Sequence, residues 1–221
     1  MLLLAVDTSG RNGSISLARC SPPNLCEIFE VAALEGGTFS AQLVPQIALL
    51  LSGHGVSKND LDAFAVVSGP GSFTGLRVGL AAIKALGEIL AKPIAPVSFL
   101  EVVATAGQAQ TKCLAALDAG RNQIYVGEYD GKRIVSEQLL TPQEFFNFSK
   151  DLTVITPDAN VAAAASSAGF TVQQPARPRA DAVVTLGWQK IQSGEVASPE
   201  ELEANYLRRT DAELFSPPRQ D

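Results

Sequence analysis

A duplicated α/β fold built from mixed sheets is predicted by three features of this sequence. An apolar run ending in Asp, a turn containing Gly-Arg-Asn and an alternating second strand occur at residues 3–18 and recur half the chain later at residues 114–125. Each copy is followed by strand-like and helix-like runs in turn, the pattern of an α/β layer architecture. Between the copies, the strand-like residues 61–67 enter Ser68-Gly69-Pro70-Gly71-Ser72-Phe73-Thr74-Gly75-Leu76-Arg77-Val78-Gly79, and a long apolar helix pattern runs on to Leu90. Such a strand–loop–helix junction points backbone N–H groups at an anion and lets another surface come close.

The elements follow in order. Residues 3–6 are an apolar strand, Asp7-Thr8-Ser9-Gly10-Arg11-Asn12-Gly13 is turn chemistry, and residues 14–18 alternate as a second strand. A Ser-Pro-Pro-Asn turn at 21–24 precedes a third strand over 26–34. Residues 40–51 read as a helix that Pro45 should distort. After the glycine loop and the helix at 75–90, residues 92–97 are extended. Ser98, with Glu101 three residues on, reads as the capping box of a helix to Ala106. The second half supplies strands at 132–140, 152–156 and 171–173, helices at 142–148 and 159–168, and a Pro/Arg-rich linker at 175–179. An amphipathic helix at 179–193 buries its side near Ala182, Leu186, Trp188 and Ile191, and the tail from Glu200 ends in residues that read as disordered. The repeat divides the chain into domains at 1–105 and 106–221, the last helix and tail packing back on the first.

With 221 residues, 46% hydrophobic and 18% charged, the chain can bury a real core. No apolar run is long enough to span a bilayer. Residues 1–6 lack a basic region and meet Asp7 at once, so they read as a strand and not a leader. Seventeen basic against 23 acidic residues give a net charge of −6, which disfavours a stand-alone nucleic-acid binder. The local basic pairs Arg177/Arg179 and Arg208/Arg209 read as solvated surface. Cys20, Cys26 and Cys113 form no CxxC, so reduced thiols of a cytoplasmic protein are expected, with neither a disulfide framework nor a zinc knuckle. The one histidine, His54, sits in a Ser-Gly-His-Gly turn and reads as an exposed loop residue. It excludes a His-rich metal site, and no GxSxG accompanies it for a triad.

Asp7 and Asp118 each end a strand at a turn. In duplicated ATPases such acidic turns face a nucleotide and its Mg²⁺, because hard cations prefer oxygen ligands. The simpler alternative is that each Asp caps its own turn. Asp7-Thr8-Ser9-Gly10 has the small residues of a phosphate hairpin, whereas Arg121 and Asn122 are bulky. The glycine loop has no GxxxxGK[ST] and is no dinucleotide GxGxxG. The helices are more informative. Residues 40–52 carry no charge, and residues 75–90 carry only Arg77, Lys84 and Glu88. A helix on the face of a sheet should be polar on its outer side. These two call for a second covering surface, either a protein partner or burial between the two halves.

Four segments together resemble the TsaB (YeaZ) family: Leu4-Ala5-Val6-Asp7-Thr8-Ser9, the Gly69–Gly79 string, Leu117-Asp118-Ala119-Gly120-Arg121-Asn122-Gln123-Ile124-Tyr125, and Tyr206-Leu207-Arg208. The resemblance implies an actin-like/Hsp70-like (ASKHA, RNase H-like) duplicated fold. It implies a part in forming N6-threonylcarbamoyladenosine at position 37 of tRNAs, as a non-catalytic subunit without cofactor. That subunit pairs with a TsaD-like catalytic paralogue and a TsaE-like ATPase and meets tRNA through the complex; a third reading has the isolated chain bury the same helices in a homodimer. The implied interface is the N-terminal helix pair, assigned to Leu43, Ile47, Leu50, Phe73, Leu76, Leu80, Ile83 and Leu86. Asp7, Thr8, Ser9 and Asp118 would be a vestigial nucleotide set. The first-helix histidines with which TsaD holds a metal have no counterpart in residues 37–50, and Phe39 stands where many relatives have His. No metal set or triad supports the family's older description as a peptidase. The rival expectation is an active actin-like ATPase or small-molecule kinase using Asp7 and Asp118.

Overall fold

The two halves build the same five-stranded sheet twice. A computed structural model describes residues 1–107 and 112–208. The first sheet contains β1 (Leu2–Asp7), β2 (Gly13–Ser21), β3 (Leu25–Leu34), β4 (Ala63–Gly69) and β5 (Ile94–Ser98), in the order β3-β2-β1-β4-β5. β1 and β2 are antiparallel with Val6 opposite Ile15, and β2 pairs antiparallel with β3. β4 runs parallel to both β1 and β5. The second sheet contains β6 (Lys112–Gly120), β7 (Gln123–Asp130), β8 (Arg133–Leu140), β9 (Thr153–Ile155) and β10 (Thr171–Gln173). Its order is β8-β7-β6-β9-β10, with the same senses at every pairing. This is the duplicated actin-like architecture. The two Gly-Arg-Asn turns occupy the same place in each sheet. In the second, Arg121 and Asn122 take φ of 53° and 55°, the conformation of a tight two-residue hairpin turn.

The helices come in matching positions: α1 (Phe39–Gly53), α2 (Phe73–Leu90) and α3 (Phe99–Ala106) in the first half, α4 (Pro142–Phe146), α5 (Ala159–Ser167) and α6 (Ala180–Ser193) in the second. α1 and α2 pack on each other and on the outer face of the first sheet, and α4 and α5 cover the second. The inner layer is exchanged. α6 packs on β1, β2, β4 and β5 of the first sheet, whereas α3 reaches β6, β7 and β9 of the second. Sandwiched in this way, all six residues of β1 are buried, which explains its unbroken apolar run. α6 lies so close to β4 that a Cβ on Gly187 would stand 2.3 Å from that of Ala65. Its buried side includes Leu186 and Trp188 as expected but continues through Val183 and Val184, while Ala182 and Ile191 are half-buried.

Three local expectations are corrected. Cys20 and Cys26 are not reduced thiols: they lie directly opposite in the β2–β3 register, Cα atoms 4.1 Å apart, and form a disulfide. Register brings them together, so no motif spacing could have revealed the pair. Cys113 is free and buried, and burial pushes its thiol up. The capping box expected at Ser98 does not form. Ser98 is the N-cap residue of α3, but its hydroxyl donates to Glu137 Oε1 while Glu101 pairs with Lys190 at 3.3 Å. A capping box forms instead at α4, between Thr141 and Glu144. Pro45 lies within a continuous α1, beyond its first turn and on its exposed side. The disordered tail end expected from the sequence lies outside the described residues.

Candidate functional site

The glycine loop packs against the chain's own first turn. Cβ atoms added at Gly71, Gly75 and Gly79 would stand 2.4 Å from Ser9 O, 2.0 Å from Thr8 O and 2.3 Å from Thr8 Oγ1. Only glycine permits that approach. Hydrogen bonds fix it: Ser72 N donates to Ser9 O at 2.7 Å, and Thr8 Oγ1 donates to Gly75 O at 2.7 Å. Thr8 and Ser9 are buried between the loop and the sheet. Asp7 is 3% exposed, and its Oδ1 accepts from both Ser9 N (2.8 Å) and Ser9 Oγ (2.6 Å). Burial pushes the Asp7 carboxyl above its usual range, opposed by the Ser9 hydrogen bonds and by Arg177.

Between the two halves lies a cleft of about 1520 Å³, lined by the turn after β1, the glycine loop, the end of β6 and residues 205–208. Asp118 lies on it and is exposed; its Oδ1 accepts from Gly120 N at 2.7 Å. Asp118 N donates to Asp158 Oδ2, and Arg177 binds Asp158 Oδ1 at 3.3 Å. Asp7 and Asp118 are therefore unlike each other: one is buried against Ser9, the other is open on the cleft. Among the described residues, no group of three or more His, Cys, Asp or Glu is placed to hold a metal ion. His54 is an exposed turn residue, stacked on Phe29 and 2.9 Å from Glu30 Oε2.

The helix pair has its two sides the other way round from the sequence expectation. Leu43, Ile47, Leu50, Leu76, Leu80 and Ile83 are buried in the chain's own core, and Leu86 is half-buried. Their stripe faces the sheet, so they cannot form an outer surface. Of the eight, Phe73 is exposed. The outer stripe of α1 is instead Ala41, Val44, Pro45, Ala48 and Leu49, with Val44 63% and Leu49 62% exposed. α2 adds Ala81, Ala85 and Ile89, the last 73% exposed, alongside the exposed charges of Arg77 and Glu88.

Residues 197–208 form an extended strap along the first half. Ala197 N donates to Ile94 O and Asn205 N to Ser68 O. Asn205 Nδ2 donates to Glu137 Oε2, the carboxylate that also accepts from Tyr129 and Ser98. The Tyr206 ring lies 4.9 Å from that of Phe73, and Tyr206 Oη accepts from Arg77 Nε. Arg208 Nη2 donates to Ala119 O, Gly120 O and Gln123 Oε1, so the strap ties the glycine-loop junction to the second hairpin. The Tyr-Leu-Arg segment is visible in the sequence. Its route is not, because an extended strap has no periodicity.

A family model described as TsaD, tRNA N6-adenosine threonylcarbamoyltransferase, matches residues 36–194, well over half of the chain. The tRNA threonylcarbamoyladenosine biosynthesis protein TsaB of Haemophilus influenzae is 30% identical over 66% of this chain and 67% of its own length. The chain belongs to the TsaB (YeaZ) family. The Bacillus subtilis TsaB is 33% identical over 65% of this chain and 61% of its own length, so the match spans about two-thirds or less of these relatives. YeaZ from Pseudomonas aeruginosa has the same fold: TM-score 0.75 at 24% identity, over 92% of this chain and all of that one.

Proposed function

We propose that this chain is a non-catalytic subunit of tRNA threonylcarbamoyladenosine formation, docking on a TsaD-like catalytic paralogue through the outer stripe of α1 and α2. The observation that carries the docking surface is the outer side of α1, which exposes Val44 and Leu49 and has no charged residue from Ser40 to Ser52. A surface helix in water should alternate with charge, and an uncharged apolar stripe favours a protein cover. The family supports the pathway and the kind of partner. The non-catalytic role is supported by Asp7, which is held by Ser9 beneath the glycine loop, and by the bulky second turn. A TsaE-like ATPase is the third component, and the complex works in the cytoplasm. Residues 1–105 and 106–221 are its two domains, and the isolated chain pairs with itself through the same stripe.

Co-expression with the TsaD-like protein of the same genome tests this. The two should co-elute on size exclusion, and Val44→Asp with Leu49→Asp should abolish the complex while the thermal midpoint is kept. A complex that survives both substitutions rules out this surface. Calorimetry with ATP and Mg²⁺ tests the catalytic role, since turnover lost in Asp7→Ala would establish an active ATPase instead.

A further inference from the structure

Three segments from different parts of the fold converge on one carboxylate. Glu137, half-buried on β8, accepts on Oε1 from Tyr129 Oη (2.7 Å) and Ser98 Oγ, and on Oε2 from Asn205 Nδ2 (3.0 Å). Tyr129 belongs to the second sheet. Ser98 is the N-cap of α3, where the chain leaves the first sheet for the second. Asn205 lies in the strap, which runs from Ile94 on the first sheet to the second hairpin. From Asn205 the contacts pass into the glycine loop. Asn205 N donates to Ser68 O, and a Cβ added at Gly69 would stand 2.4 Å from Asn205 O. The next residue, Tyr206, packs on Phe73 and accepts from Arg77. Those two residues begin the exposed row Phe73, Arg77, Ala81, Ala85 and Ile89, spaced by four along the outside of α2.

We propose that Glu137 is a positioning residue that latches the strap, and that the latched strap sets the start of the α2 row, so that strap order and docking are coupled. The coupling rests on the docking surface proposed above; the latch does not. Three features favour a latch over an incidental contact. The strap lies outside the helices and strands, so its order depends on the groups it touches. Tyr129 and Ser98 both hold Oε1, which fixes the carboxylate and aims Oε2 at Asn205, and a hydrogen bond to an ionised acceptor is among the strong ones. The route from Oε2 to Phe73 is one side-chain hydrogen bond, one peptide unit and one ring contact, a contiguous path through an element that is either seated or released. By linkage, whatever releases the strap weakens docking, and a docked partner holds the strap in place.

The test uses the full chain. Hydrogen exchange of residues 197–208 is read by mass spectrometry, with buried β1 as the reference for the global fold, and affinity for the TsaD-like partner is read by titration calorimetry. Asn205→Asp sets a second carboxylate against Glu137. It should speed exchange at residues 205–208 by about tenfold or more and weaken docking about three- to tenfold. Glu137→Gln alone should do less, since the Asn205 amide can turn to meet it. The two substitutions together exchange donor for acceptor, and they should restore slow exchange and most of the affinity; a merely structural role would make the double variant the worst of the three. Gln138→Ala, at an exposed neighbour on β8, should change neither reading. Wild-type exchange in Asn205→Asp, or a double variant that exchanges no more slowly than Asn205→Asp, overturns the latch. Fast exchange with undiminished docking overturns the coupling. Leu49→Asp keeps the two readings apart: it should weaken docking and leave strap exchange of the free chain unchanged. If it docks like wild type, the docking surface is wrong and the coupling falls with it, while exchange in the Asn205 and Glu137 variants still decides the latch.

Discussion

The two halves share strand order, strand direction and the Gly-Arg-Asn turn, yet their outer helices differ greatly. α1 and α2 have 15 and 18 residues; their counterparts α4 and α5 have 5 and 9. At the third and seventh positions of α2 stand Gly75 and Gly79, pressed on Thr8. The same positions of α5 are Val161 and Ala165, which fill a small separate core with Phe145 and Phe170. One sheet plan has thus been given two covers. The first is long, closely seated and apolar on its outside. The second is a thin lid over a small cluster. The strand pattern fixes the sheet, and the helices are where the halves were free to diverge.

That contrast can be broken in the first half most severely at Ile83. It is fully buried under α2, and Ile83→Asp should cost about 4 kcal/mol and leave little folded protein on a urea titration. Gly75→Ala comes next. A methyl 2.0 Å from a carbonyl oxygen forces α2 off the hairpin, at a cost of about 3 kcal/mol in the same titration, whereas Val161→Ala in α5 should cost about 1 kcal/mol. Leu49→Asp should leave stability within about 0.5 kcal/mol and weaken the complex with the TsaD-like partner by roughly 2 kcal/mol, about thirtyfold, measured by titration calorimetry. The smallest effect separates the two turn aspartates. Burial raises the folded Asp7 carboxyl above its unfolded value, so its folded state binds the proton more tightly. Stability is therefore favoured at acid pH and falls as pH rises through the raised value. Asp7→Asn keeps an acceptor for Ser9 and should flatten that fall, raising stability at neutral pH relative to acid pH on a urea titration run at both. Asp118→Asn, at an exposed turn, should change stability by less than about 0.5 kcal/mol.

The sheets were legible because each hairpin leaves alternation and turn residues in the sequence, and because the repeat supplied each strand twice. The outer helices were legible as too apolar, but not as to which stripe faces the sheet. Ile83 and Ile89 look alike in sequence, and the packing of α2 buries one and exposes the other. Cys20 meets Cys26 locally, across the turn at 21–24, through the β2–β3 hairpin register, whereas Ser98 abandons its cap because Glu137 arrives from β8, far along the chain. The cleft was half legible: Asp118 and the Gly-Arg-Asn tips stand out in the sequence, but their meeting with Arg177 and Arg208 depends on the linker before α6 and on the strap.

The exchange of α3 and α6 has a consequence for how the chain is made. On the ribosome, residues 1–105 emerge with all five strands of their sheet and both outer helices, but the helix that covers the inner face, Ala180–Ser193, has still to be translated. At ~5–20 residues per second the nascent first sheet waits several seconds with one apolar face open. Until residues 180–193 arrive, the first sheet keeps that face uncovered. A stop codon anywhere before Ala180 yields a polypeptide prone to aggregate, however complete its first half.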